Sequence, residues 1–194
     1  MSLTMERCKW CNLKNPLYIK YHDEEWGRPN FEEKYLYEML ILESFQAGLS
    51  WECVLNKRED FRKAYDNFDI DKVCRYDNKK IQELLSNEKL IRNKLKINAS
   101  INNSKIFKEI QNEYGTFYEY LKGFTNDKII YENDKTTSEL SDNISEDLRK
   151  RGMKFVGSTI IYSYLQAIGI IYSHDEGCFM NKKASLRSSI KCKF

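Results

Sequence analysis

Residues 30–51 read Asn30-Phe31-Glu32-Glu33-Lys34-Tyr35-Leu36-Tyr37-Glu38-Met39-Leu40-Ile41-Leu42-Glu43-Ser44-Phe45-Gln46-Ala47-Gly48-Leu49-Ser50-Trp51. Asn30-Phe31-Glu32-Glu33 is a capping-box pattern and predicts a helix running to about Ala47. Gly48 supplies its stop, and Ser50 caps a further helix whose apolar side is Trp51, Val54, Leu55 and Phe61. Helical spacing puts Leu36, Leu40, Glu43 and Ala47 on one face. Glu43, the only charge between Met39 and Phe45, therefore points where its apolar neighbours point. An unpaired carboxylate there costs free energy unless something satisfies it. It reads either as a hydrogen-bond acceptor at the floor of a pocket, or as a helix-end acid reaching solvent or an internal arginine.

Helical signals continue in both directions. Asn15-Pro16 is an N-cap followed by proline at the first helical position, and the helix it opens carries Tyr18, Tyr21 and His22 on one face. Asp69 and Asp77 are further caps, the second ahead of Ile81, Leu84 and Leu85. A helix follows through Leu95, Ile101, Ile106 and Ile110, then one from Thr116 through Tyr120 and Leu121. Residues 125–142 read as a long loop. Another helix ends at Arg149-Lys150-Arg151-Gly152, and Ser158 is placed to cap the last one, reaching Tyr172. No alternating run and no internal repeat interrupts this series, so the class is all-α, with 5–180 as one helical domain. Met1-Ser2-Leu3-Thr4, ahead of a second methionine at Met5, reads as an added leader, and 181–194 as a frayed basic tail.

Composition narrows the function classes. Aromatic residues make up 13% of the chain, enough large side chains for a folded core, and Pro and Gly are too scarce for a linker-rich protein. The apolar run Thr159–Tyr172 is broken by Ser163, Gln166 and Gly169, so no helix is expected to span a membrane. No charged-then-apolar leader opens the chain, and a cytoplasmic protein is expected. The formal charge of +3 says little, but Lys89, Arg92, Lys94, Lys96, Lys105 and Lys108 fall in one stretch that holds no acid. Such a stretch suits a polyanion, or a solvated helix face.

Six cysteines without a secretory context argue for thiols and metal ligands rather than disulfides. Both histidines stand near cysteine: Cys8 precedes His22, and His174-Asp175-Glu176-Gly177-Cys178 is an H-x3-C motif. If Cys8, His22, His174 and Cys178 share one ion, they make a tetrahedral zinc quartet that joins the two ends of the fold; buried thiols with surface histidines are the plain alternative. Closing the loop from His22 to His174 would stabilise the fold by about 4 to 5 kcal/mol. Cys8-Lys9-Trp10-Cys11 is also C-x2-C, so Cys8, Cys11, His174 and Cys178 form a rival set. Cys53 and Cys74 sit within helical patterns and read as core.

Trp51 follows Glu43 closely, and the N-terminal segment adds Trp10, Tyr18, Tyr21 and Trp26. Each alone suits a core. Together with one buried acid they suit an aromatic box for a flat, cationic or electron-poor ligand such as a flipped nucleobase.

Four ordered motifs carry a resemblance: Met5-Glu6-Arg7-Cys8-Lys9-Trp10, Tyr18 through Gly27, Glu43-Ser44-Phe45-Gln46-Ala47-Gly48-Leu49-Ser50-Trp51, and Lys150-Arg151-Gly152-Met153-Lys154-Phe155-Val156-Gly157. From about Met5 to Cys178 the chain resembles the bacterial 3-methyladenine DNA glycosylase I family. The resemblance implies a helix-hairpin-helix DNA glycosylase fold whose N- and C-terminal segments are joined by a structural Zn2+ on Cys8, His22, His174 and Cys178, without an organic cofactor. It implies Glu43 as the base-contacting acid, Trp51 as the stacking indole, and Trp10, Tyr18 and Tyr21 as further pocket residues, with Trp26 as support. The hairpin maps near Lys89–Ile97, although Lys89 and Leu95 stand where small residues are expected.

The implied activity is monofunctional. A base is flipped out of alkylated double-stranded DNA, its glycosidic bond is hydrolysed, and free 3-methyladenine leaves; a monomer is the default. Related glycosylases commonly carry a catalytic aspartate after the hairpin, whereas here no acid follows Lys96 until Glu109. A non-catalytic, zinc-stabilised DNA-binding module on the same fold is the competing reading.

Overall fold

Ten α-helices follow one another along residues 5–181, the part of the chain that this computed structural model describes. In order they are α1 (Pro16–Glu24), α2 (Glu33–Gln46), α3 (Trp51–Leu55), α4 (Arg58–Ala64), α5 (Ile70–Val73), α6 (Asn78–Ser86), α7 (Lys94–Tyr114), α8 (Phe117–Thr125), α9 (Glu139–Lys150) and α10 (Ser158–Ala167). A two-residue strand, β1 (Ile130–Tyr131), pairs in parallel with β2 (Ile171–Tyr172). The leader at 1–4 and the basic tail from Lys182, with Cys192, lie outside the described residues.

Helix α2 sits at the centre because its sequence has no water-facing stripe. Every residue from Leu36 to Phe45 is buried, and α3, α7, α8 and α10 pack around it. Two acids go inside with it and meet different fates. Glu38 Oε1 accepts from Arg58 Nε at 2.6 Å and Arg62 Nε at 2.9 Å, and Arg58 also donates to Glu25 at 2.7 Å. The internal arginine thus belongs to Glu38, and Glu43 has none.

The caps expected at Asn15, Ser50, Asp69 and Asp77 are all formed, each side chain accepting an amide two or three residues on. The capping box at Asn30–Glu33 is not formed. Glu32 occupies the cap position without a side-chain bond, and the Glu33 carboxylate instead accepts from the amides of Phe117 and Tyr118 at the start of α8. The helix expected from Trp51 through Phe61 breaks into α3 and α4 at Asn56–Lys57, and both Arg58 and Phe61 are buried beyond the break. The supposed loop at 125–142 contains β1 and the first turn of α9, whose cap is Ser138. Ser158 is the first residue of α10 rather than its cap.

That last helix stops at Ala167, short of Tyr172, and the reason is Gly169. Its φ of +80° turns the chain into β2, and a Cβ there would lie 2.3 Å from Pro29 N. The same junction receives the N-terminal segment: Gly27 N donates to Gln166 O and Asn30 N to Ile168 O. Gly169→Ala should therefore cost about 3 kcal/mol or more, a Tm loss on the order of 6–12 °C. Gly115→Ala, at φ +90° with open space around it, should cost only about 1 kcal/mol. Thermal unfolding of the two variants compares them; equal losses would contradict a close approach at Gly169.

Candidate active site and metal centre

Four residues far apart in sequence meet where the chain's first described segment crosses the segment after β2. Ligand atoms of Cys8, His22, His174 and Cys178 all lie within 4.8 Å of one another, and all four residues are buried. Cys8 Sγ is 3.4 Å from His174 Nδ1, and Cys178 Sγ is 3.4 Å from His22 Nε2 and 3.6 Å from His174 Nδ1. Tetrahedral zinc, with bonds of about 2.3 Å to sulfur and 2.0–2.1 Å to nitrogen, sets such neighbours about 3.5 Å apart. Cys11 takes no part; its Sγ reaches Tyr18 O at 3.8 Å.

The surroundings prepare these donors. Asp23 Oδ1 lies 2.8 Å from His22 Nδ1, and its carboxylate is held by Arg7 at 2.7–3.1 Å. With the proton on Nδ1, Nε2 keeps its lone pair toward the sulfurs. The amides of Asp175 and Met180 donate to Cys8 Sγ and Cys178 Sγ, at 3.3 and 3.4 Å. Burial lowers the His174 pKa to about 4, which keeps the imidazole neutral as a ligand must be. Burial also pushes the Cys8 thiol well above its ordinary value, a cost that a bound cation reverses. The donor set fits a closed four-coordinate metal centre.

Against this centre lies a cavity of about 370 Å³. One wall is aromatic: Trp10, Tyr18, Tyr21, Trp26 and Trp51 all line it. Trp26 packs against Trp10 and His174, each at 4.7 Å between ring centres, so the cavity wall and the metal centre share side chains. Tyr21 and Trp51 meet at 5.2 Å. All five aromatic residues anticipated from the sequence are thus brought together with Glu43.

The floor is polar and unsatisfied. Glu43 Oε2, Gln46 Oε1 and Trp51 Nε1 are buried and find no hydrogen-bond partner among the described residues. Two acceptors and one donor converge on one space, where buried polar groups ordinarily find partners. Burial raises the Glu43 carboxyl well above the ordinary 4.5, and no neighbouring cation offsets it. Burial raises Tyr21 too, with Glu43 adding to the effect, so the phenol stays a hydrogen-bond donor.

Further polar residues, which the sequence does not single out as site residues, also line the cavity. They include Ser163 and Gln166 of α10, Ser173 and Asp175 after β2, and Lys135 before α9. Ser163, Gln166 and Gly169 are the three breaks in the apolar run 159–172; two face the cavity and the third makes the close approach to Pro29. Gln46 stands one helical turn after Glu43, a spacing visible in the sequence.

The basic stretch does not form one patch. Lys89, Arg92 and Lys94 are exposed in and beside the 87–93 connection between α6 and α7, but Lys96 is buried and Lys108 pairs with Asp71 at 3.2 Å. No helix among the described residues is long and apolar enough to cross a membrane.

Comparison with known proteins gives a consistent result. The family model described as methyladenine glycosylase matches residues 10–181. DNA-3-methyladenine glycosylase 1 of Escherichia coli (strain K12) is 41% identical over 180 residues, covering 90% of this chain and 96% of the relative. A crystal structure of 3-methyladenine DNA glycosylase I superposes with a TM-score of 0.87 at 37% identity, covering 91% of this chain and all of the other. A variant of 3-methyladenine DNA glycosylase I in complex with 3-methyladenine superposes with a TM-score of 0.85 at 30% identity, covering 90% and 97%.

The stranded carboxylate has a measurable consequence. A folded-state pKa above the unfolded one means that the folded chain holds the proton longer, so stability falls as pH rises from about 4.5 toward the raised value. Glu43→Gln removes this loss. In denaturant titrations the variant should match wild type near pH 4.5 and become progressively more stable than it toward neutral pH. A difference independent of pH would show that the carboxylate is satisfied in the fold.

Proposed function

Because the chain belongs to the methyladenine glycosylase family, we propose that it hydrolyses the N-glycosidic bond of 3-methyladenine in alkylated double-stranded DNA. The carrying observation is the unpaired Glu43 carboxyl beside the unpaired Trp51 Nε1 in an aromatic cavity. A soluble protein that keeps such groups buried loses stability, and a ligand's polar edge recovers it. A purine flipped from the duplex has the matching form: a flat face for Trp51 and an edge with donors and acceptors for Glu43 and Tyr21.

Alkylation at N3 makes the base cationic, and this decides how the residues act. The free protein's burial favours the neutral carboxyl; a cation in contact favours the ionised one. Glu43 then attracts the damaged base more than a neutral one, and accepts hydrogen bonds from its edge. The tryptophan and tyrosine faces add cation–π attraction. As the glycosidic bond breaks, its electron pair stays with the base, which departs as neutral 3-methyladenine. Water adds its hydroxyl to the sugar carbon and releases its proton to solvent. A base that leaves neutral needs little protonation, so the absence of an acid between Lys96 and Glu109 agrees with a glycosidic bond that alkylation has already weakened.

We assign the duplex to the face that carries the 87–93 connection, with α6 and α7 as a helix-hairpin-helix element. Lys89, Arg92 and Lys94 there meet phosphates without reading sequence. We assign Zn2+ to Cys8, His22, His174 and Cys178. With all four positions taken by protein it supplies stability and leaves the reaction to the cavity. A monomer acting in the cytoplasm completes the reading.

Chromatography of bases released from methylated duplex DNA tests the proposal. Free 3-methyladenine should appear, and Glu43→Gln should slow its release without abolishing it. Salt-sensitive DNA binding with no base released would make the chain a binding module, and undiminished release by Glu43→Gln would remove that residue from recognition. The purified protein should carry one zinc per chain. Cys178→Ser should cost on the order of 4 kcal/mol of stability, roughly 10 °C in Tm, while the folded fraction still releases base. Lost release at an unchanged Tm would contradict a structural metal.

A further inference from the structure

Lys96 is the basic residue of the 89–108 stretch that cannot meet solvent: it is 7% exposed. Its backbone lies in the first turn of α7, with its amide bound by the cap residue Asn93. A cation there is opposed by the helix dipole. Burial lowers its pKa, and no ion pair to Lys96 is found among the described residues. Three unfavourable conditions act on one side chain.

What offsets them is the far end of another helix. Lys96 Nζ donates to Phe45 O at 2.8 Å and to Ala47 O at 2.6 Å, the carbonyls on either side of Gln46. The last carbonyls of a helix lack partners within it and carry its negative end, and α2 has no basic residue in its own last turn. Past this point the chain turns through Gly48, at φ +75°, into Ser50 and Trp51. The ammonium therefore fixes the junction between Glu43 and Gln46 on one side and Trp51 on the other. It also stands 5.9 Å from the centre of the Phe155 ring, in the segment after α9. Lys94, two residues earlier, is exposed beside the basic connection.

We propose that Lys96 is a positioning residue that ties the basic connection between α6 and α7 to the floor of the base cavity, holding Glu43, Gln46 and Trp51 in register with a duplex seated on that connection. This rests on the glycosylase reading above. It sets Lys96 apart from its exposed neighbours, whose contribution is charge toward phosphate. Misplacing a recognition group by a fraction of an ångström acts on the chemical step, whereas losing a phosphate contact acts on affinity and its salt dependence.

The test is single-turnover excision of 3-methyladenine by wild type, Lys96→Met and Lys96→Arg, over a range of duplex and salt concentrations, with Tm recorded for each. Lys96→Met should lower the rate at saturating DNA by on the order of 10- to 100-fold. Its half-saturating DNA concentration and salt slope should stay within about twofold of wild type, and Lys96→Arg should restore most of the rate. Weakened DNA binding with a shallower salt slope and an unchanged saturating rate would make Lys96 a phosphate ligand and overturn the proposal. So would a fall in Tm with full rate per folded molecule. If Lys96→Met does not fold, Lys96→Gln, whose shorter, uncharged amide reaches the carbonyls less well, should show a smaller loss of the saturating rate with the salt slope still unchanged. Wild type that releases no base would sink the glycosylase reading itself, whereas wild-type release with unaltered variants sinks this inference alone.

Discussion

A helix buried on every side must have each of its polar groups settled by its neighbours, and α2 imposes that demand on the whole molecule. At its start Glu33 takes the free amides of α8. In its middle Glu38 draws Arg58 and Arg62 inward. At its end Lys96 donates to the carbonyls of Phe45 and Ala47. These three sets of bonds fix α8, α4 and α7 relative to one helix. Glu43 is the remainder: among the described residues it is the acid of α2 that is given no partner. Replacing Arg58 or Lys96 with a residue that cannot bond leaves part of the buried Glu38 charge, or the carbonyls at the end of α2, without a partner, which costs more than the bond itself contributed.

The stranded acid gains its meaning from the second constraint, the closure of the chain's two ends. Cys8 and His22 precede α2, His174 and Cys178 follow β2, and their meeting brings Trp10 and Trp26 against His174. Without that meeting the cavity over Glu43 would lack a wall. The cluster of Cys8, His22, His174 and Cys178 therefore holds aromatic side chains of the cavity wall in place. Asp175 shows how close the two functions lie, since its amide bonds Cys8 Sγ while the residue lines the cavity.

Local chemistry was legible in the sequence, and its allocation between elements was not. Caps at Asn15, Ser50, Asp69 and Asp77 depend on bonds within a few residues, and all formed. The box at Asn30–Glu33 failed because Glu33 had a better use on another helix, which no local pattern records. Likewise the acid-free stretch from Lys89 to Lys108 concealed one buried lysine and one paired one. The aromatic residues and Glu43 were readable as one site through spacing on α1 and α2 and through family resemblance. Ser163 and Gln166 were visible as breaks in an apolar run, and only the packing of α10 on α2 turned them toward the cavity.

On the proposed function, Glu43 is kept unpaired for a base. Its carboxyl carbon, labelled with carbon-13 and followed by NMR against pH, reports this directly. A midpoint clearly above 4.5 is expected in the free protein, with a fall in that midpoint when free 3-methyladenine is added, because donors on the base edge favour the ionised form. A midpoint near 4.5 that the base does not move would show a carboxylate already satisfied, and would contradict that role.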